Sequence, residues 1–255
     1  MFKWVGPREH PMEYLERYLA EPQWVHAAYV LPLVAWQLRS GHGIAEHEIP
    51  DRAADHLIWS LRAWSAFRGS GSFEDKAARF RAQLPKLVRG VAAAIGKTHA
   101  NRLADVGTPA VSQFAEDLER AFLAMARDVK ENMSFVLPSK AAHLVFPSMI
   151  PAFDMEVVRD MVLEDLLPPR IAYRKSFATW LRLCCCVLQE FKSDGTLAEA
   201  GRMVRDALLG DWAMEQLQPA HPPRTDAVLP LLDSFVAEYT LIGIQRAGGI
   251  QAHPL

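Results

Sequence analysis

Lys140 and Asp154 stand fourteen positions apart in the stretch MSFVLPSKAAHLVFPSMIPAFDMEV, residues 133–157, each at an expected helix start. An amine and a carboxylate held in this way have complementary chemistry. A carboxylate stabilises positive charge that develops in a transition state and orients a nucleophile. A lysine whose pKa is lowered by burial or a neighbouring cation becomes a nucleophile and forms Schiff bases. Each residue also has a plainer role: Asp154 as an N-cap worth about 1 kcal/mol to its helix, Lys140 as a surface contact to phosphate. His143 follows Lys140 by three positions, on approximately the same helical face. It fits a hydrogen bond across a cleft, a contact to nucleic acid, or a satisfied core histidine.

The elements that must position these groups are read from proline and capping signals. Ser139 is an expected N-cap for a helix from Lys140 to about Phe146, and Pro147 and Pro151 end that helix and stiffen the connection to the next one. Asp154 then stands in the N-cap position of a second apolar-periodic run, MEVVRDMVLEDLL. Upstream, helices are expected at 9–19, 23–39 (with a kink at Pro32), 51–67 and 73–95 (with Pro85 as a point of bending), followed by a short piece at 98–103. Val111, Phe114, Leu118, Phe122, Met125 and Val129 keep one face of a helix over 110–130 that leads into the motif. Downstream, helices are expected at 171–191, 197–209 and 228–245. No stretch alternates as a strand does, so the fold class is all-α.

The stretch around Lys140 and Asp154 resembles the helix-hairpin-helix DNA glycosylases. In that superfamily a hairpin turn leads into a helix that often carries a lysine near its start, and a proline-containing turn delivers an aspartate to the start of the next helix. Val136, Leu137, Pro138, Ser139, Lys140, Ala141 and Ala142 occupy the hairpin register here, and Pro151-Ala152-Phe153-Asp154 occupies the turn. The pattern is also similar to a divergent bacterial branch in which Ser-Lys, a helical His and a Pro…Pro…Asp turn recur, matching Ser139-Lys140, His143, Pro147, Pro151 and Asp154. Val136 and Pro138 stand where the family's hairpin has glycines, and Pro138 has no amide to offer a phosphate.

The resemblance implies a two-lobed helical bundle with a degenerate helix-hairpin-helix element, and cleavage of a base-sugar bond to leave an abasic site. Asp154 and Lys140 would be catalytic, with Lys140 as nucleophile or as a DNA-positioning cation. Double-stranded DNA with a flipped base would be the partner. Ser139, His143, Lys86, Arg89, Arg170, Arg174 and Lys175 would contact DNA, and Trp36, Trp59 and Trp64 would supply a base pocket. Their helical spacing fits core packing as well. The substrate would be a damaged base or a hypermodified cytosine of phage DNA, serving repair or antiviral defence.

The 255 residues are enough for one large core, taken here as a single glycosylase-like domain with lobes at 1–105 and 106–255. Half of them are hydrophobic and 23% are charged, an ordinary globular balance. Net charge is -2, yet residues 68–102 carry eight basic side chains against two acidic ones, and residues 170–192 carry five against one. Such stretches could form a DNA-facing surface whose affinity falls with salt, or merely solvated helix faces. The three cysteines are consecutive, Cys184 to Cys186, in a helical run. Neighbours on a helix point about 100 degrees apart, so they serve as small hydrophobes rather than as a disulfide framework or a joint metal site. No metal and no cofactor is expected. A monomer in the cytoplasm, without a signal or membrane span, is the default.

Two other classes stay open at this point. One is a non-catalytic helical module that binds DNA or protein, with the motif kept as a packing element. The other is an enzyme acting on a free nucleoside, which needs a closed pocket and no basic surface.

Overall fold

The computed structural model describes residues 11–20, 51–130, 134–154, 157–158, 162–163, 173–216 and 229–246. Among them are eight α-helices and no strand, so the fold is all-α. They are α1 (Pro11–Leu19), α2 (Asp51–Ala63), α3 (Phe73–Thr98), α4 (Thr108–Lys130), α5 (Val136–Val145), α6 (Tyr173–Ser193), α7 (Leu197–Gln216) and α8 (Asp233–Arg246). Short 3-10 turns at Leu103–Asp105 and Leu229–Leu232 complete the order. The expected helix at 23–39 lies outside the described residues.

Two helices carry no solvated face. Every residue of α5 from Leu137 to Val145 is buried, as is every residue of α8 from Asp233 to Gly243. A helix buried all round is a core element around which amphipathic helices pack. Helices α2, α3 and α4 pack on α5, whereas α1, α6 and α7 pack on α8. The amphipathic helices obey their apolar spacing: Val111, Phe114, Leu118, Phe122, Met125 and Val129 of α4 are all buried.

Close backbone approach sets two of these contacts. A Cβ on Gly243 of α8 would lie 2.5 Å from the Tyr14 carbonyl oxygen of α1, and one on Gly90 of α3 would lie 2.9 Å from the Ala121 Cβ of α4. Only glycine admits such spacing without displacement of a neighbour.

Several local features differ from the sequence expectation: α2 ends at Ala63 rather than at 67, and α8 begins at Asp233, after a 3-10 turn, rather than at 228. Helix α3 runs unbroken past Pro85 to Thr98 and ends where His99 adopts a left-handed conformation (φ 55°), so the short helical piece at 98–103 is replaced by that cap and the 3-10 turn. Its start is capped by Ser72, whose Oγ accepts from the Asp75 amide at 3.1 Å. Helix α7 continues to Gln216, beyond the expected end at 209. Helix α5 begins at Val136 rather than Lys140, with Phe135 at the cap position. Pro138 falls in the first turn, where amides have no intrahelical acceptor and proline costs little. Ser139 is thereby inside the helix, and its hydroxyl is released from capping for another task.

One ion pair, between half-buried Arg102 and buried Asp233, ties the α3–α4 connection to α8. Arg102 donates from Nε to Asp233 Oδ2 at 3.1 Å and from its terminal guanidinium nitrogen to Oδ1 at 2.7 Å, while the Ala104 amide reaches Oδ2 at 3.3 Å. The Asp233 side chain is 1% exposed. Burial pushes the Asp233 carboxyl above its usual range, and the Arg102 contacts pull it back. Arg102→Ala leaves a buried carboxylate without its cation, and should destabilise the protein by about 3 kcal/mol, read as a lowered denaturant midpoint.

Candidate functional site

The motif residues converge where a non-helical segment, residues 146–154, passes through the interior among α5, α6 and α8. Met149 to Phe153 are buried, so their amides and carbonyls need protein partners. Side chains provide most of them. Ser139 of α5 accepts from the Phe153 amide at 3.2 Å and lies 3.2 Å from the Phe153 carbonyl oxygen. His143, one turn further along the same face, donates from Nδ1 to the Ile150 carbonyl at 2.7 Å. Because that carbonyl only accepts, the proton of the neutral ring belongs on Nδ1. Trp180 of α6 donates from Nε1 to the Ala152 carbonyl at 2.9 Å, and Glu238 of α8 accepts from the Ala152 amide at 3.3 Å. Ser234 of α8 binds the Pro147 carbonyl with its hydroxyl and, at 3.2 Å, with its amide. The Leu103 amide takes the Ser148 carbonyl at 2.9 Å.

This clamp delivers Asp154 to Lys140. Lys140 Nζ lies 2.5 Å from Asp154 Oδ2, 3.2 Å from the Trp64 carbonyl oxygen and 4.5 Å above the Trp64 ring. The other Asp154 oxygen accepts from the Val157 amide at 3.3 Å, the N-cap arrangement expected from sequence. The pair is unevenly exposed: the Lys140 side chain at 3%, that of Asp154 at 24%. Asp154 is thus the face that the pair presents to solvent.

Two more titratable groups adjoin the pair. Burial lowers His143 to about 4, with the Lys140 charge adding to it and the Ile150 hydrogen bond opposing. Burial raises Glu238 to about 8; the Ala152 amide and Lys140 oppose this, and Asp154 adds to it. Glu238 Oε2 lies 3.9 Å from His143 Nε2. At neutral pH both groups are therefore uncharged, leaving Lys140 and Asp154 as one charge-balanced pair.

Other expected site residues are placed differently. Ser139 and His143, expected to touch DNA, are fully buried and hold the segment instead. Trp64 lies against both Lys140 and His143, its ring 5.9 Å from the imidazole. Trp59 is 56% exposed, with Arg62 5.1 Å over its ring and Phe73 beside it. Trp36 and Arg170 lie outside the described residues, as do the side chains of Arg174 and Lys175.

Internal contacts occupy much of the basic stretch at 68–102. Lys76 is buried and donates to the Phe67 and Gly69 carbonyls, while Arg81, Lys97 and Arg102 pair with Asp55, Asp117 and Asp233. Lys86 and Arg89 are exposed on the outward face of α3. Cys184 and Cys185 are buried and Cys186 is partly so, all as free thiols. Among the described residues no group of three or more His, Cys, Asp or Glu is placed to hold a metal ion, and no helix is long and apolar enough to cross a membrane.

Sequence reasoning missed Glu238, Ser234 and Trp180. The available signal was a lone carboxylate in SFVAEYTLIGI, a run otherwise fit for burial. The class defined by fold and site is an all-α protein built around a buried polar clamp and a lysine–aspartate pair. No family model matches the chain, and no curated protein or solved structure matches it.

The two shifted groups predict a pH signature of stability. A carboxyl raised from 4.5 to about 8 favours folding at low pH, and that contribution is lost as pH rises from 4.5 through 8. A histidine lowered from 6.5 to about 4 favours folding above 6.5, and its contribution is lost as pH falls toward 4. The two slopes cancel between 4.5 and 6.5. Between 6.5 and 8 only Glu238 acts, so its contribution should fall by about 2 kcal/mol, at 1.36 kcal/mol per unit. Denaturant unfolding across that range should show a decline that is steeper in the wild type than in Glu238→Gln, by about 2 kcal/mol.

Proposed function

We propose that this chain is a DNA glycosylase of the helix-hairpin-helix kind, hydrolysing the N-glycosidic bond of a damaged or modified base to leave an abasic site. The observation that carries the reading is the approach of Lys140 Nζ to within 2.5 Å of Asp154, across fourteen residues of non-repetitive sequence, with the carboxylate on the solvent side. In this reading Asp154 stabilises the oxocarbenium-like charge on the sugar and orients water. Lys140 Nζ, which faces a carboxylate, a carbonyl and an indole ring, is engaged in positioning that carboxylate. The reading is therefore of a monofunctional hydrolase. Lys86 and Arg89 are available to a phosphate backbone. Hypermodified cytosine in phage DNA, and with it antiviral defence, is the substrate reading that the sequence resemblance suggests.

A second reading is a non-catalytic helical module that binds DNA or protein. The burial of Lys140, Ser139 and His143 favours it, because a packing element needs no access to a nucleotide.

Base release measured by mass spectrometry decides between them, on a panel of damaged DNAs and of phage DNAs with modified cytosines. The glycosylase reading predicts release by the wild type, a loss of about 100-fold or more in Asp154→Asn, and no borohydride-trapped adduct. Undiminished turnover in Asp154→Asn would sink the mechanism. Salt-sensitive binding without release from any DNA would favour the module.

A further inference from the structure

Glu238 has no role in the sequence motif, yet it touches the segment that carries Asp154 at the point where that segment turns. Its Oε2 takes the Ala152 amide at 3.3 Å, two residues before Asp154, and Trp180 takes the carbonyl of the same residue. The carboxyl is buried in the middle of α8. Among the described residues the titratable groups facing it are Lys140 and His143 from α5, Asp154 from the segment, Cys184 from α6, and its neighbour Tyr239, whose ring packs on Tyr18 of α1. Lys140 is the only cation in that set, and Asp154 already holds it.

We propose that Glu238 is a positioning residue for Asp154: uncharged, it fixes the Ala152 peptide and leaves Lys140 to Asp154; ionised, it competes for Lys140 and repels Asp154, switching the site off. This rests on the glycosylase reading for its catalytic readout, but not for its structural one. Two carboxylates sharing one buried ammonium cannot both be balanced, and the one on the less constrained element yields. Asp154 is that one, because it lies on a non-helical segment with its side chain 24% exposed, while Glu238 is set within a buried helix. The direction of the Glu238 titration supports the same order, since burial and Asp154 both hold its proton on into the neutral range.

The test follows the Ala152 and Asp154 backbone amides of the intact protein by NMR from pH 6 to 9.5, in the wild type and in Glu238→Gln, together with the pH profile of base release. The wild-type amides should titrate together with a midpoint near 8, and release at pH 9 should fall to about a tenth of its pH 7 rate. Glu238→Gln, which keeps the acceptor oxygen, should abolish the amide titration and retain at least half of its pH 7 rate at pH 9. Wild-type amides that do not titrate would overturn the proposal, even if the variant failed to fold. So would an unchanged alkaline limb in a folded Glu238→Gln. Amides that titrate in a protein releasing no base would uphold the positioning role while removing the glycosylase reading.

Discussion

A buried backbone segment without helix or strand geometry must find its hydrogen bonds outside a regular ladder, and in residues 149–153 side chains supply most of them. Much of the interior arrangement is a consequence of this constraint. Ser139 and His143 lie four residues apart because two points of the segment, Phe153 and Ile150, must be met from one helical face. Trp180 and Glu238 meet the two sides of the Ala152 peptide from separate helices. Helices α5 and α8 hold the segment on one side and are covered elsewhere by the helices packed on them, so neither has a face to spare for solvent. His143 also packs its ring 4.3 Å from Phe235, so the clamp is continuous with the contact between the two core helices.

Electrostatics then select which of the clamped groups carry charge. Four titratable side chains, Lys140, His143, Asp154 and Glu238, share a small interior volume in which an unpaired charge is costly. The cheapest arrangement has one cation and one anion in contact, with the other two groups neutral, and the directions of the His143 and Glu238 shifts correspond to it. Asp154 meets partial solvent, the Lys140 ammonium and the Val157 amide at once. That combination also makes it the group best placed to meet a positive charge from outside.

Much of this was legible in sequence where the signal was local. The all-α class, the α4 stripe from Val111 to Val129, and the N-cap role of Asp154 each depend on residues within a few turns of one another. That Lys140 and Asp154 serve one site is an expectation from a resemblance rather than from periodicity, and their direct contact is not legible in the sequence. Other points were not legible, because long-range packing decides them. Pro138-Ser139 reads as a helix boundary, yet tertiary burial of residues 137–145 extends the helix back to Val136 and turns Ser139 inward. The basic count over 68–102 reads as a charged surface, but Lys76 is buried on carbonyls and Arg102 is committed to Asp233, while Arg81 and Lys97 stay at the surface in ion pairs with Asp55 and Asp117. Glu238 lies 84 positions beyond Asp154, and no spacing rule connects them.

Hydrogen exchange at the Ala152 and Phe153 amides tests the clamp most directly, because both donate only to side chains, Glu238 and Ser139. If these contacts hold the segment as firmly as helical bonds hold α5, the two amides should exchange as slowly as those of α5, through global unfolding. Exchange at the rate of an open loop, with α5 still protected, would mean that the segment leaves its partners freely, and the account of how Asp154 is held would be wrong.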